Sequence, residues 1–349
     1  MKRAVLSLLL IHYAAAAFAQ IGGSATYKFL NLPFSARTAS LGGNLISVKD
    51  DDINLVAQNP SLLNAGMSNR LSLSYINYFT DINYGYAAYA RSYEGIGSFS
   101  AGIQFVEYGE FRRADETGTV DGTFRAADYS LNLAYSRDLD SMFSVGAQLK
   151  TIYSSMESYW SVGNALDLGA TYFDPARGFT AAAVIRNLGM QWRGYSESGK
   201  EPLPFEVQMG LSKKLKHAPF RFSLIATNLQ KWDLTYEDPE NPVQLVDPLT
   251  GDSIKQNKAR IFGDKLLRHA IFGVEFLLTK NFNLRFGFNY ERRKELKLVD
   301  RPGMVGFSFG FGFRISKIHI SYGFAKYHIG SSSNHFTLSA NLSEFYSRK

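Results

Sequence analysis

Between Arg301 and Lys326 the chain follows a two-residue repeat that leaves little choice of local fold. Val305, Phe307, Phe309, Phe311 and Phe313 share one parity, and Gly306, Ser308, Gly310 and Gly312 take the other. The pattern resumes with Ile318, Ile320, Tyr322 and Phe324 against His319, Ser321, Gly323 and Ala325. Alternate side chains of a strand point to opposite faces, so this is a β-hairpin with a wall of rings on one face and a nearly bare surface on the other. In a soluble sheet the rings would form a core. In a transmembrane barrel they would meet lipid, and the small residues would line the lumen. One hairpin does not separate these readings.

The whole chain separates them. It has 349 residues, with 27 Phe and 20 Tyr. Beyond the N-terminal leader no run approaches the ~18 apolar residues of a spanning helix. Rings without long apolar runs suit a barrel, whose signal is diluted by alternation. Met1–Ala19 reads as a secretory signal: Lys2 and Arg3, an apolar Ala4–Ile11, then Ala17-Phe18-Ala19 as the cleavage site. The mature chain is expected to begin at Gln20. There is no Cys, which excludes disulfides and thiolate metal sites. A net charge of +7, two of those cations in the leader, is too mild to argue for nucleic acid.

From Arg70 the texture is repetitive. Strands are expected over 70–78, 82–92, 96–107, 127–137, 142–153, 163–173, 178–187, 203–214, 219–229, 266–278, 281–291, 303–314, 317–326 and 334–343. About fourteen strands, an even number, fits a single-chain outer-membrane barrel. The even-numbered connections are short, among them Tyr93-Glu94-Gly95, Thr279-Lys280-Asn281 and Ile315-Ser316. Most odd ones are long: 108–126, 154–162, 188–202, 230–265 and 292–302. Sorting of short turns to one edge and long loops to the other belongs to such barrels.

The inward parity carries Lys150, Asp167, Glu206, Arg221, Glu275, Arg285 and Glu291. Unpartnered buried charges are costly, so charges of both signs in mid-strand favour a polar lumen over the dry core of a sandwich. The fold class expected is therefore all-β: a transmembrane antiparallel barrel of about fourteen strands over 70–349.

Residues 20–69 have a different texture and are expected to form a compact segment with a short helical plug. Asp50-Asp51-Asp52 can cap a helix over 53–58, and Pro60 stops it. The three acids lack the spacing of an EF-hand calcium loop. Leu55, Val56, Leu62 and Leu63 need something to bury against, and the barrel interior supplies it.

Catalytic patterns are lacking. The six His have no metal-ligand spacing, and there is no Gly-x-Ser-x-Gly and no phosphate loop. No catalytic, cofactor or metal residues are nominated, and no enzyme activity is expected. The long connections are distinctive instead. Lys255, Lys258, Arg260, Lys265 and Arg268, with Arg292, Arg293, Lys294, Lys297 and Arg301, fall on one rim. They serve either lipopolysaccharide phosphates or a docked extracellular partner. Lys255, Lys258, Arg260, Arg292, Arg293 and Lys294 are the candidate partner-binding rim.

The block Gly22–Gly43 (Gly-Gly-Ser-Ala-Thr-Tyr-Lys-Phe-Leu-Asn-Leu-Pro-Phe-Ser-Ala-Arg-Thr-Ala-Ser-Leu-Gly-Gly), followed by Asp50-Asp51-Asp52 and Gln58-Asn59-Pro60-Ser61-Leu62-Leu63, resembles the PorQ family of the type IX secretion system. The Asn-Pro turn also resembles FadL-like barrels and the related PorV, where Asn-Pro-Ala is usual and this chain has Ser61. The resemblance implies a fourteen-strand barrel with its N-terminal segment inside. It implies a non-enzymatic member of a surface-attachment complex, tethering a PorZ-like surface protein beside a PorU-like sortase and a PorV-like shuttle. That complex joins secreted cargo to anionic lipopolysaccharide. It also implies an outer-membrane location in a Gram-negative bacterium, with long loops extracellular and termini periplasmic. The alternative is a FadL-like transporter of hydrophobic small molecules.

Overall fold

The computed structural model describes residues 25–196, 199–235, 257–296, 303–328 and 331–346. The leader 1–19 lies outside the described residues, as do Lys255, Lys297 and Arg301.

Fourteen antiparallel strands close on themselves: β1 (Arg70–Asn77), β2 (Asn83–Tyr93), β3 (Gly97–Ala114), β4 (Val120–Asp138), β5 (Phe143–Met156), β6 (Tyr159–Asp174), β7 (Phe179–Arg193), β8 (Glu206–Lys214), β9 (Phe220–Ala226), β10 (Ala270–Phe276), β11 (Phe282–Asn289), β12 (Phe307–Ile315), β13 (Ile318–His328) and β14 (Ser331–Asn341). β1 and β14 complete the circle in register from Arg70↔Asn341 to Asn77↔Asn334. Closure removes the free edges an open sheet would leave. Among the described residues four short α-helices accompany them: α1 (Ala36–Ser40), α2 (Lys258–Arg268), α3 (Tyr290–Leu296) and α4 (Ser343–Tyr346).

The period of two does what it implies. Leu131 and Leu133 stand out from the wall, while Ser130, Asn132 and Ala134 between them are buried. On the outer face rings meet across strands, Phe309 against Phe286 at 5.8 Å and Tyr322 against Phe336 at 5.2 Å between centroids.

Two expected loops are strand. Residues 108–126 prolong β3 and β4 into a hairpin that rises past the rest of the wall. β2 pairs β3 only as far as Glu107, and β5 pairs β4 only from Ala126. The turn is closed by Asp115, whose Oδ1 accepts from the Thr117 and Thr119 amides at 2.9 Å. Residues 154–162 likewise shrink to a tight turn in which Glu157 takes a left-handed φ of 57°. Charges on both faces disguise these strand ends, since neither face needs to be apolar once it has left the membrane. The rims remain unequal. One, the loop rim, carries 194–205, 227–269 and 290–306, and the other, the turn rim, carries short turns and both ends of the barrel sequence.

Residues 25–69 fill the barrel. Asp52 caps the turn Ile53–Ala57, its Oδ1 accepting from the Asn54 amide at 3.1 Å, and Asn59 caps Pro60–Leu62. Leu55, Val56 and Leu62 are wholly buried. The α1 helix lies on β11 to β14, where the bare parity of the last strands is. A Cβ at Gly310 would stand 1.9 Å from Ser40 Oγ, one at Gly323 would stand 2.3 Å from the Ala36 carbonyl oxygen, and one at Gly287 would stand 2.2 Å from the Gly42 nitrogen. The opposite wall repeats the arrangement, with Gly169 against Asn59 and Gly146 against Pro60. The glycines are bare because plug backbone occupies the space that their side chains would take.

Candidate functional site

The wall holds the plug through small hydroxyls. Ser308 Oγ donates to the Ser40 carbonyl and accepts from the Gly42 amide, each at 3.0 Å. Thr337 Oγ1 accepts from the Ala36 amide at 3.0 Å, and Ser144 Oγ donates to the Ser61 carbonyl at 2.9 Å. Each bond gives a plug backbone group a partner on the wall.

Two charge clusters add to these contacts. Toward the turn rim, Glu275 is flanked in register by Arg221 on β9 and Arg285 on β11. Its carboxylate is forked by plug Arg37, Nε to Oε1 at 2.9 Å and Nη2 to Oε2 at 3.1 Å. Arg37 also reaches Asp50 at 2.8 Å and Asp52 at 3.2 Å, while Arg221 bridges Asp50 and Glu275. Arg285 stands 3.6 Å from Glu275. Three guanidiniums, one from the plug and two from the wall, thus face three carboxylates, two from the plug and one from the wall. The acid run is more than a helix cap: Asp52 caps, while Asp50 is a wall anchor. Arg37 was not nominated from sequence, because its partners lie at positions 50 and 275.

The second cluster lies on β5 to β8. Lys150 pairs with Asp167 at 2.6 Å, both side chains fully buried. β7 bulges beside them, the register passing from Leu166↔Leu188 to Leu168↔Ile185. Asn187 in the bulge has a φ of 57°, receives a hydrogen bond from Lys150 Nζ at 2.9 Å, and gives its amide to Asp167 at 2.8 Å. Arg186, 3.9 Å from Glu206, donates to the plug carbonyl of Leu30 at 3.1 Å. A cavity of about 10 Å³ lies between plug and wall. Arg186 Nε and Gln104 Oε1, both lacking a protein partner, belong to residues lining it, and it has room for one water.

Six of the seven expected lumen charges therefore stand on inward faces in two networks. The seventh is a correction. Glu291 lies on α3, at the loop rim, because the chain leaves β11 at Asn289 and turns into a helix whose Arg292 amide is capped by Asn289 Oδ1 at 2.9 Å. Burial first, then the charges of Glu295 and Glu206, push the Glu291 carboxyl up to about 7.

Lys255 lies outside the described residues, and the other five expected rim cations do not form one surface. Lys258 and Arg260 are exposed on α2. Arg292 turns inward, its guanidinium 4.2 Å above the Tyr327 ring of β13, and a Cβ at plug residue Gly43 would meet its Nη2 at 2.9 Å. Arg293 closes its own loop on the Gly303 carbonyl at 2.7 Å. Lys294 pairs with Asp264 of α2 at 2.8 Å. Burial alone would raise the Asp264 carboxyl, but hydrogen bonds from Lys294, Tyr290 and Arg268 hold it down at about 2. The α3 helix thus leans over the lumen as a lid, and α2 packs beside it. The sequence pattern leads one to expect a loop over 258–265 and a strand from 266, where the structure has a helix. The Asn257 cap, which accepts from the Ala259 amide at 3.1 Å, was the available signal for a helix. Among the described residues no group of three or more His, Asp or Glu could hold a metal ion.

No family model matches the sequence, and no curated protein matches it. Solved structures do match in shape. The toluene transporter TbuX of Ralstonia pickettii superposes over 89% of this chain and 98% of its own, with a TM-score of 0.50 at 13% identity. The toluene transporter TodX of Pseudomonas putida gives 0.52 at 13% identity, over 88% of this chain and 96% of its own. A TodX variant, a monoaromatic hydrocarbon channel, gives 0.53 at 12% over 89% and 97%. At such identities the likeness is one of fold alone: this chain is a closed fourteen-strand antiparallel barrel, similar in shape to those transporter barrels.

Proposed function

We propose that this protein is a non-enzymatic anchor in the outer membrane, holding a PorZ-like surface protein for a type IX attachment complex, with the loop rim outside the cell and both termini periplasmic. The packed lumen carries this reading. Plug and wall are joined by hydroxyl contacts on both sides, by two charge clusters and by close backbone approach at the glycines. The cavity between them beside Arg186 is water-sized, where a drug-sized ligand needs a pocket of about 300 Å³ or more. A rigid, filled barrel suits a fixed platform. The sequence resemblance of residues 22–63 to the PorQ family supplies the partner. The sortase-like and shuttle-like proteins follow from that resemblance alone.

A second reading has its own support. The barrels that share this fold include toluene transporters, so passage of hydrophobic small molecules, with the plug moving, is the alternative. One experiment separates them. The tagged protein is purified from its host in mild detergent, and a strain lacking it is assayed both for surface attachment of cargo and for uptake of a hydrophobic solute. Co-purification of a surface protein, with cargo lost to the medium in the deletion strain, supports the anchor. Unchanged attachment with lost uptake overturns it in favour of transport.

A further inference from the structure

The α2 helix has two unlike faces. Asp264 and Arg268, four residues apart, turn to α3: Asp264 receives Lys294 Nζ at 2.8 Å and the Tyr290 hydroxyl at 2.7 Å. Because α3 leans over the lumen, that face of α2 looks toward the barrel axis. Phe262 and Leu266 lie on the opposite side of the helix and look away from it. They are 58% and 50% exposed, which is a great deal for two large apolar side chains on one helical stripe.

This stripe is not isolated. Trp232, 51% exposed, packs on Phe262 at 5.5 Å and on His269 at 5.9 Å. The segment leading to it runs beside β8, the Leu229 amide donating to the Val207 carbonyl at 3.0 Å. Below lie Met209, Leu224 and Phe272, exposed residues of the outward-facing band of β8 to β10. The apolar surface therefore continues from the lipid-facing wall onto the helix. Lys258 is exposed one turn before Phe262 on the same side of the helix, while Arg260, also exposed, lies on the Asp264 side. An apolar stripe with Trp and Phe, bordered by a cation and continuous with a hydrocarbon-facing band, is the composition of an element lying at a membrane surface.

We infer that α2 lies on the leaflet adjoining the loop rim, with Trp232, Phe262 and Leu266 seated at the acyl-chain boundary and Lys258 on the phosphates of an anionic glycolipid. The assignment to the outer leaflet rests on the orientation proposed above. It gives Lys258 a lipid partner, and it leaves the α3 side of the rim, with Arg260, for any docked protein.

The chain has no Cys, so single cysteines carry spin labels without background. Labels at Phe262→Cys and Leu266→Cys are compared with labels at Thr117→Cys, on the hairpin tip, and Arg260→Cys. The full-length protein is placed in vesicles of lipid A with phospholipid, or of phosphatidylcholine alone. The expected ratio of oxygen to nickel-chelate accessibility at 262 and 266 is several-fold above that at 117 and 260. In lipid A vesicles the 262 label is expected to sit deeper, and Lys258→Glu is expected to abolish that difference. Labels at 262 and 266 as open to nickel as the label at 117 overturn the inference and make the stripe a protein-docking face. Equal depth in the two lipids overturns the phosphate contact. Labelling of Thr117→Cys on intact cells with an impermeant maleimide tests the orientation separately.

Discussion

Gly310 on β12 and Ser40 on the plug approach so closely that a methyl group at Gly310 would lie 1.9 Å from the serine oxygen. No rotamer of Gly310's replacement relieves this, because the clash is with Cβ itself. Gly310→Ala should therefore lift α1 from the wall. Overpacking of this kind costs about 1–3 kcal/mol. The expected readout is faster proteolysis within residues 25–69 of the folded barrel, with the strands intact. Adding Ser40→Gly should restore much of the protection. Equal protection in Gly310→Ala and the parent would show that the plug is not seated there.

Removing one carboxylate from the charge cluster should be worse than removing an exposed pair. Glu275→Gln leaves Arg37, Arg221 and Arg285 facing one another with Asp50 and Asp52 as their remaining partners. Breaking a buried pair from one side costs about 3–5 kcal/mol, since the other charge stays buried. By contrast Arg113→Gln, which breaks an exposed pair with Asp121 on the protruding hairpin, should leave the unfolding midpoint unchanged. Urea unfolding from detergent micelles measures both.

The ring-bearing faces should be intolerant of charge according to depth. Phe311 is in the middle of β12, its ring 5.5 Å from Tyr322. Phe311→Arg should cost about 2–4 kcal/mol, and Phe309→Arg, nearer the loop rim, less. Folding titrations into lipid vesicles give the order, and a barrel unaffected by Phe311→Arg would place that face away from lipid.

The lid should loosen as pH rises. Glu291 is held at about 7 by burial, then by Glu295 and Glu206, against an ordinary 4.5. Between those two values the folded lid keeps a proton that the unfolded chain has lost, so its stability falls with rising pH across this window. Hydrogen exchange of α3 amides should accelerate between pH 5 and pH 8, these being roughly the flanks of the window. Glu291→Gln should flatten the profile. A profile as steep in that variant would assign the pH dependence to another group.

Sequence alone determined the barrel. Phe307 to Phe313 and Tyr129 to Tyr135 alternate with small or polar residues, and period two has one structural meaning when both faces are occupied by such different side chains. Each of the fourteen strands overlaps a stretch where that pattern puts one, though β3 and β4 run on through residues expected as loop and β10 begins only at Ala270, and six of the seven inward charges were legible from parity. What sequence did not determine was set by contacts between distant positions. Bare Ser308 and Gly310 announced a face without saying what covered it, since the Ala36–Gly42 segment that covers them lies more than 260 residues away in the chain. Arg37 gained its role from Glu275 on a strand it meets only inside a closed barrel. Arg292 looked like a rim cation until helix α3 turned it onto Tyr327. Local periodicity fixes which way a side chain points from its strand, but closure of the wall around the plug fixes what it meets there.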